Sequence, residues 1–199
     1  VLASASIGLT TRLDLPPYRF VFDQLVAGGL MGLLALVITS RIPYKKWRPW
    51  ALPIFIASLT LTALVFWPGV GFRHGGATRW IALGPINFQP SELLKFGYLL
   101  YLAALFSARR NVWVFALASI MAALLLALQR DVGTLGILMG SGLILFFLAG
   151  GEWKYLLAAA AIGLAALAIL IYLEPYRFER LLVFWNPNYD PQGSGYQVR

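Results

Sequence analysis

The residues able to do chemistry in this chain fall into four short clusters. The first is Gly75-Gly76-Ala77-Thr78-Arg79-Trp80-Ile81-Ala82-Leu83-Gly84-Pro85, and the second follows at once as Phe88-Gln89-Pro90-Ser91-Glu92-Leu93-Leu94-Lys95. Pro90 suits the first turn of a helix, with Gln89 or Ser91 placed to cap it. Glu92 and Lys95 stand three apart and share one helix face. An ammonium one turn into an apolar helix must pair, snorkel or face a wet cavity. The spacing alone also fits an ordinary helix-end ion pair. The third cluster is Gln129-Arg130-Asp131-Val132-Gly133-Thr134, where Asp131 heads an apolar run and is favoured by the helix dipole. It can be a cap or a polar group facing a groove. In the fourth, Pro175-Tyr176-Arg177-Phe178-Glu179-Arg180-Leu181, the basic residues recur at helical spacing. That pattern suits a short amphipathic helix at a membrane surface, holding lipid headgroups or a pyrophosphate.

The elements that must position these groups are apolar. Hydrophobic residues make up 60% of the 199 and charged residues 12%, against about 25% charged in a soluble domain. Long apolar runs without alternating period must be helices, because lipid offers no partner to a free backbone amide. Spans are expected at residues 20–39, 51–67, 91–107, 112–129, 132–150 and 155–173, with 1–9 the remainder of an earlier helix. The fold class is therefore all-α, a polytopic transmembrane helix bundle of about seven spans. The whole chain, 1–199, reads as one integral membrane domain truncated at both ends. Residues 68–90 form an outer loop and 174–199 the start of a large one.

Composition excludes several classes. Cysteine is absent and His74 is the single histidine. Disulfides, thiolate metal sites, His-based zinc sites and a Ser-His-Asp triad are thus set aside. The formal charge of +8 is assigned to membrane lipids and topology, with no nucleic acid as partner. Arg41, Lys45, Lys46, Arg48, Arg109, Arg110 and Lys154 crowd the short 40–50, 108–111 and 151–154 loops, which are expected to be cytoplasmic. The clusters described above then share the outer face.

The order of the clusters is more specific than any one of them. Gly-x-Thr-Arg-Trp-Ile-x-Leu-Gly-Pro runs into Phe-Gln-Pro-Ser-Glu-Leu-x-Lys. Gln-x-Asp-x-Gly-Thr opens a later span. Arg-x-x-Arg-Leu comes next, with Asn-Pro and Asp-Pro-x-Gly-x-Gly-Tyr-Gln after it. This resembles the SEDS family (shape, elongation, division and sporulation), which includes RodA and FtsW. The likeness covers essentially the whole chain, down to Ser4-Ala5-Ser6 at the start. Two positions depart from the pattern: Thr78 stands where the family usually has Arg, and Arg130 where it usually has Pro.

The resemblance implies a ten-span peptidoglycan glycosyltransferase that polymerises lipid II during cell elongation or division, in the bacterial inner membrane. A class B penicillin-binding protein is the implied partner, and lipid II on its undecaprenyl pyrophosphate the substrate. The family's catalytic base, an Asp in the large outer loop, is implied beyond residue 199, so this chain holds no assigned catalytic residue. What it would supply is substrate binding by Arg79, Trp80, Glu92, Lys95, Asp131, Arg177 and Arg180. Lys95 and Arg79 would meet the phosphates, Glu92 would orient Lys95, and Trp80 would pack on substrate or the outer loop. A pyrophosphate beside acidic residues leaves room for Mg²⁺ or Mn²⁺, although no metal-ligand motif is present. A flippase for the same precursor and a non-catalytic membrane scaffold are the competing readings.

Overall fold

The computed structural model describes residues 28–74, 77–83, 86–108 and 111–173. The expected first helix, the Arg109-Arg110 pair and the 174–199 tail with Arg177 and Arg180 lie outside the described residues. The chain divides into two compact units, residues 1–54 and 55–199. The first carries α1 (Met31–Ser40), α2 (Tyr44–Trp47), a 3₁₀ turn (Arg48–Trp50) and the start of α3 (Ala51–Leu64). The second carries the rest of α3, then β1 (Gly71–His74), β2 (Ala77–Leu83), β3 (Ile86–Phe88), α4 (Pro90–Ala108), α5 (Val112–Leu128), α6 (Val132–Leu148) and α7 (Trp153–Leu173).

The helices from α3 onward match the expected spans closely, because apolar run length sets them. Lone hydroxyls within them bond back to the preceding turn, as Thr62 Oγ1 does to the Ser58 carbonyl at 2.7 Å. The 68–90 link is different. Read as an outer loop, it folds as a three-stranded antiparallel meander in the order β1-β2-β3. Phe72 pairs with Trp80 and Ile81 with Phe88, and a bulge follows Phe72. The two connections carry Gly75-Gly76 and Gly84-Pro85, residue pairs that suit tight turns. Gly71 is required where it stands, since a Cβ there would collide with the Val65 carbonyl oxygen. The described fold is thus a helix bundle with one small sheet added.

The bundle turns the soluble pattern inside out. Leu117, Ile120, Leu124 and Leu128 on α5, and Ile137, Ile144 and Leu148 on α6, are exposed. Such a surface is tolerable in lipid and not in water. Pro90–Ala108 is long and apolar enough to cross a membrane alone. Helices α5 and α6 have 17 residues each, about 26 Å at 1.5 Å per residue, close to the hydrocarbon thickness.

Inside, three helices pack through stripes of period three and four. Helix α4 buries Leu94, Tyr98 and Leu102; α5 buries Phe115, Ala118, Ala122 and Leu126; α6 buries Thr134, Leu138, Gly142 and Phe146. Small residues let the backbones approach. Tyr98 shows the fit. Ser119 Oγ donates to the Phe115 carbonyl at 2.8 Å, so the Tyr98 hydroxyl donates to Ser119 Oγ at 2.6 Å. The same ring lies over Gly142, where a Cβ would come within 2.5 Å of the Tyr98 hydroxyl. At the far end Phe115 and Phe146 stack at 5.1 Å, and Phe106 packs against both.

Gly142→Ala should therefore overpack this contact and destabilise the full-length protein by about 1–3 kcal/mol. Tyr98→Phe removes the nearest atom, so the double variant should lose less than the sum of the singles. Thermal unfolding in detergent checks this.

Candidate functional site

The buried polar residues Thr62, Ser91, Gln129, Asp131 and Thr134 gather at one end of the bundle, where the sheet meets the turn between α5 and α6. The turn itself is built by backbone rules. Arg130 N–H bonds the Ala127 carbonyl and Asp131 N–H the Leu126 carbonyl, both at 2.9 Å. These are the paired bonds of a Schellman motif, which needs a left-handed residue after the C-cap. Helix α6 ends in the same motif, with Gly150 at φ 80°. At the end of α5 the position is Arg130, at φ 57°. A side chain there costs about 1 kcal/mol relative to Gly, so something must hold the turn.

Arg79 holds it from strand β2. Its Nη2 donates to the Arg130 carbonyl at 2.6 Å and its Nε to the Gln129 carbonyl at 3.3 Å. Its Nη1 lies 3.8 Å from Asp131 Oδ1. The guanidinium therefore meets the negative end of α5 and a carboxylate together.

Asp131 serves three partners at once. Oδ1 accepts from Thr134 N–H at 3.3 Å, capping α6. Oδ2 accepts from Gln89 Nε2 at 3.3 Å. Gln89 also donates to Ser91 Oγ at 2.9 Å, linking this carboxylate to the first turn of α4. Gln129, 2% exposed, donates from Nε2 to the Thr62 carbonyl of α3 at 2.8 Å. Its Oε1 is the buried side-chain oxygen without a protein partner among the described residues.

Two of the expected site residues, Arg79 and Asp131, are thus in direct contact. Glu92 and Lys95 form a second pair, Nζ to Oε2 at 2.8 Å, in the first two turns of α4. The Lys95 side chain is 28% exposed and the Glu92 side chain 58%. Glu92 lies where the helix dipole favours a carboxylate, and it steadies the ammonium one turn deeper. Trp80 sits on β2, half-buried, next to Arg79. Arg177 and Arg180 lie outside the described residues. Gln89, Gln129 and Thr62 complete the junction but were not among the site residues read from sequence. Gln89 and Gln129 adjoin named residues; Thr62 carries no local signal at all.

Among the described residues no three His, Asp or Glu groups converge on a point that could hold a metal ion. Both carboxylates at this end already face protein cations. The described residues by themselves do not make the oxygen cage a divalent ion needs.

Comparison with known proteins bears on the whole chain. A family model named for FtsW, RodA and SpoVE, described as "Cell cycle protein", matches residues 1–199. A probable peptidoglycan glycosyltransferase FtsW of Allochromatium vinosum is 34% identical, over 100% of this chain and 51% of that protein. Stage V sporulation protein E of Bacillus subtilis is 32% identical, over 91% of this chain and 51% of that protein. Among solved structures, the rod shape determining protein RodA of Thermus thermophilus is 35% identical with a TM-score of 0.66, covering 85% of this chain and 57% of that one. A chain from a peptidoglycan synthase complex that coordinates polymerization and crosslinking is 36% identical with a TM-score of 0.68, covering 99% of this chain and 61% of that one. The chain spans about half the length of the curated relatives it matches.

Two outcomes are expected for the turn. Arg130→Gly should be more stable than Arg130→Ala by about 1 kcal/mol, because both lose the side chain and only glycine adopts the left-handed backbone without strain. Asp131→Ala should cost about 3 kcal/mol, from a lost cap and the lost charged hydrogen-bond acceptor for Gln89 and Arg79, with Asp131→Asn losing less. Denaturation midpoints of the full-length variants measure both.

Proposed function

The chain belongs to the FtsW/RodA/SpoVE family, and on that premise we propose that it takes part in polymerising lipid II as a peptidoglycan glycosyltransferase. The observation that carries the reading is the Glu92–Lys95 pair at 2.8 Å: a steadied, part-exposed ammonium one turn inside an apolar helix. A charge is costly at that depth and is kept where it meets a ligand. In the proposed reaction an acceptor sugar hydroxyl attacks the anomeric carbon of the donor. The bond from that carbon to the undecaprenyl pyrophosphate breaks, the hydroxyl proton passes to a general base, and negative charge grows on the leaving pyrophosphate. Lys95 meets that charge, Glu92 orients Lys95, and Trp80, next to Arg79 on β2, offers an apolar face to substrate or the outer loop.

Arg79 has a different part in this account. Its nitrogens are engaged by two backbone carbonyls and Asp131, so it positions the turn and lends its charge to the polar end. Asp131 is not the base, because its oxygens already serve Thr134, Gln89 and Arg79. The base comes from the large outer loop implied by the family resemblance. A divalent ion, Mg²⁺ or Mn²⁺, would need carboxylates from outside the described residues to hold it, and would there lend positive charge to the leaving pyrophosphate. Arg177 and Arg180, which lie outside the described residues, are proposed on their sequence spacing alone to meet the pyrophosphate as well. A class B penicillin-binding protein is the proposed partner, supported by the similar chain solved in a peptidoglycan synthase complex. The 40–50, 108–111 and 151–154 loops are proposed to face the cytoplasm of the inner membrane, on their density of Lys and Arg.

The full-length protein with Lys95→Ala should polymerise lipid II about 10²–10³-fold more slowly. Glu92→Gln should fall about tenfold, the low end for a residue that orients another functional group. Gel analysis of polymer length and rate reads both, and full activity at normal expression contradicts the assignment. Movement of lipid II without any polymer, by the wild type, would favour a flippase instead.

A further inference from the structure

Residues 41–50 join two apolar helices, α1 and α3, through a connection that is itself ordered. Pro43 opens the turn, and Lys46 N–H bonds the Pro43 carbonyl at 2.9 Å. Helix α2 then passes through the 3₁₀ turn, with Pro49 inside it, directly into α3. So short a connection between two lipid-facing helices must lie in the membrane interface.

The chemistry of the segment matches that place. It holds Arg41, Lys45, Lys46 and Arg48 and no acid. All four are exposed, and none has an ion-pair partner among the described residues. Aromatic residues interleave with them. Tyr44 is 80% exposed and Trp50 63%, while Trp47 is half-buried. Lys45 and Arg48 are three apart and so share one face of the helical turn; Tyr44 and Trp47 share another. Indole and phenol rings settle at headgroup depth, and lysine and arginine stems reach outward from there. The turn is hydrogen-bonded and continuous with α3, so Lys45, Lys46 and Arg48 are carried on one short stretch of helical backbone.

We propose that residues 41–50 form a binding surface for anionic phospholipid headgroups, selecting lipids of net negative charge over zwitterionic ones. A zwitterionic headgroup carries its own cation beside the phosphate and gains little from four fixed positive charges. An anionic headgroup gains from each of them, by about fivefold per cation near a membrane surface. The surface contains none of the residues assigned to lipid II, so it stands apart from the proposed catalysis.

The test uses full-length protein in detergent, with native mass spectrometry measuring the Kd of added phosphatidylglycerol and phosphatidylcholine. The wild type should bind phosphatidylglycerol at least about fivefold more tightly. Lys45→Gln with Lys46→Gln removes two cations and should abolish most of that preference, by about fivefold for each cation lost, while Arg41 and Arg48 remain to fix topology. Lys45→Arg with Lys46→Arg should retain it. Equal affinity of the wild type for the two lipids overturns the proposal. So does an undiminished preference in the glutamine variant, which would place the anionic site elsewhere.

Discussion

Asp131 stands where β2, α4, α5 and α6 meet, with its side chain 7% exposed. Its two oxygens answer to a helix N-terminus, a guanidinium and a side-chain amide. A buried carboxylate is tolerable only when it is paired and hydrogen-bonded, and this one takes its partners from β2, from α6 and from the residue ahead of α4. The consequence is geometric. Arg79 cannot reach Asp131 unless β2 lies against the α5–α6 turn, and Gln89 cannot unless α4 begins beside it. The left-handed backbone at Arg130 depends on the same contact, because the carbonyl of that residue is what Arg79 grips most closely.

The polar junction and the apolar bundle support each other. Stripes of Ala118, Ala122 and Gly142 bring α4, α5 and α6 close enough for side chains at one end to share a carboxylate. The Tyr98–Ser119 hydrogen bond fixes rotation between α4 and α5 further along. With these contacts in place, the first turn of α4 is tied through Gln89 to the α5–α6 turn. The Glu92–Lys95 pair can then sit at a set depth relative to the sheet, as its proposed role in charge stabilisation requires.

Much of this was legible in the sequence wherever one local rule decides the outcome. Apolar run length marked the helices. The three-residue spacing of Glu92 and Lys95 announced their pairing, and an Asp ahead of an apolar run announced the cap on α6. What escaped was non-local or ran against the local rule. The meander was hidden because 68–90 reads as link, although Gly75-Gly76 and Gly84-Pro85 are turn signals. The contact between Arg79 and the α5–α6 turn spans about fifty residues of chain and leaves no trace in spacing. A free arginine and a clamped one look alike in sequence, so Arg79 was read for its charge and not for its grip. Arg130 occupies a position where glycine is the rule, as Gly150 shows, and nothing local signals its left-handed backbone.

The most direct test of this account is a double-mutant cycle between Arg79 and Asp131, read as the lipid II polymerisation rate of the full-length protein. If the two residues act as one clamp on the turn, Arg79→Ala with Asp131→Ala should be no slower than the slower single variant, a coupling of about 1–3 kcal/mol. If the losses instead multiply, the two act independently, and the carboxylate junction is not what positions the polar end.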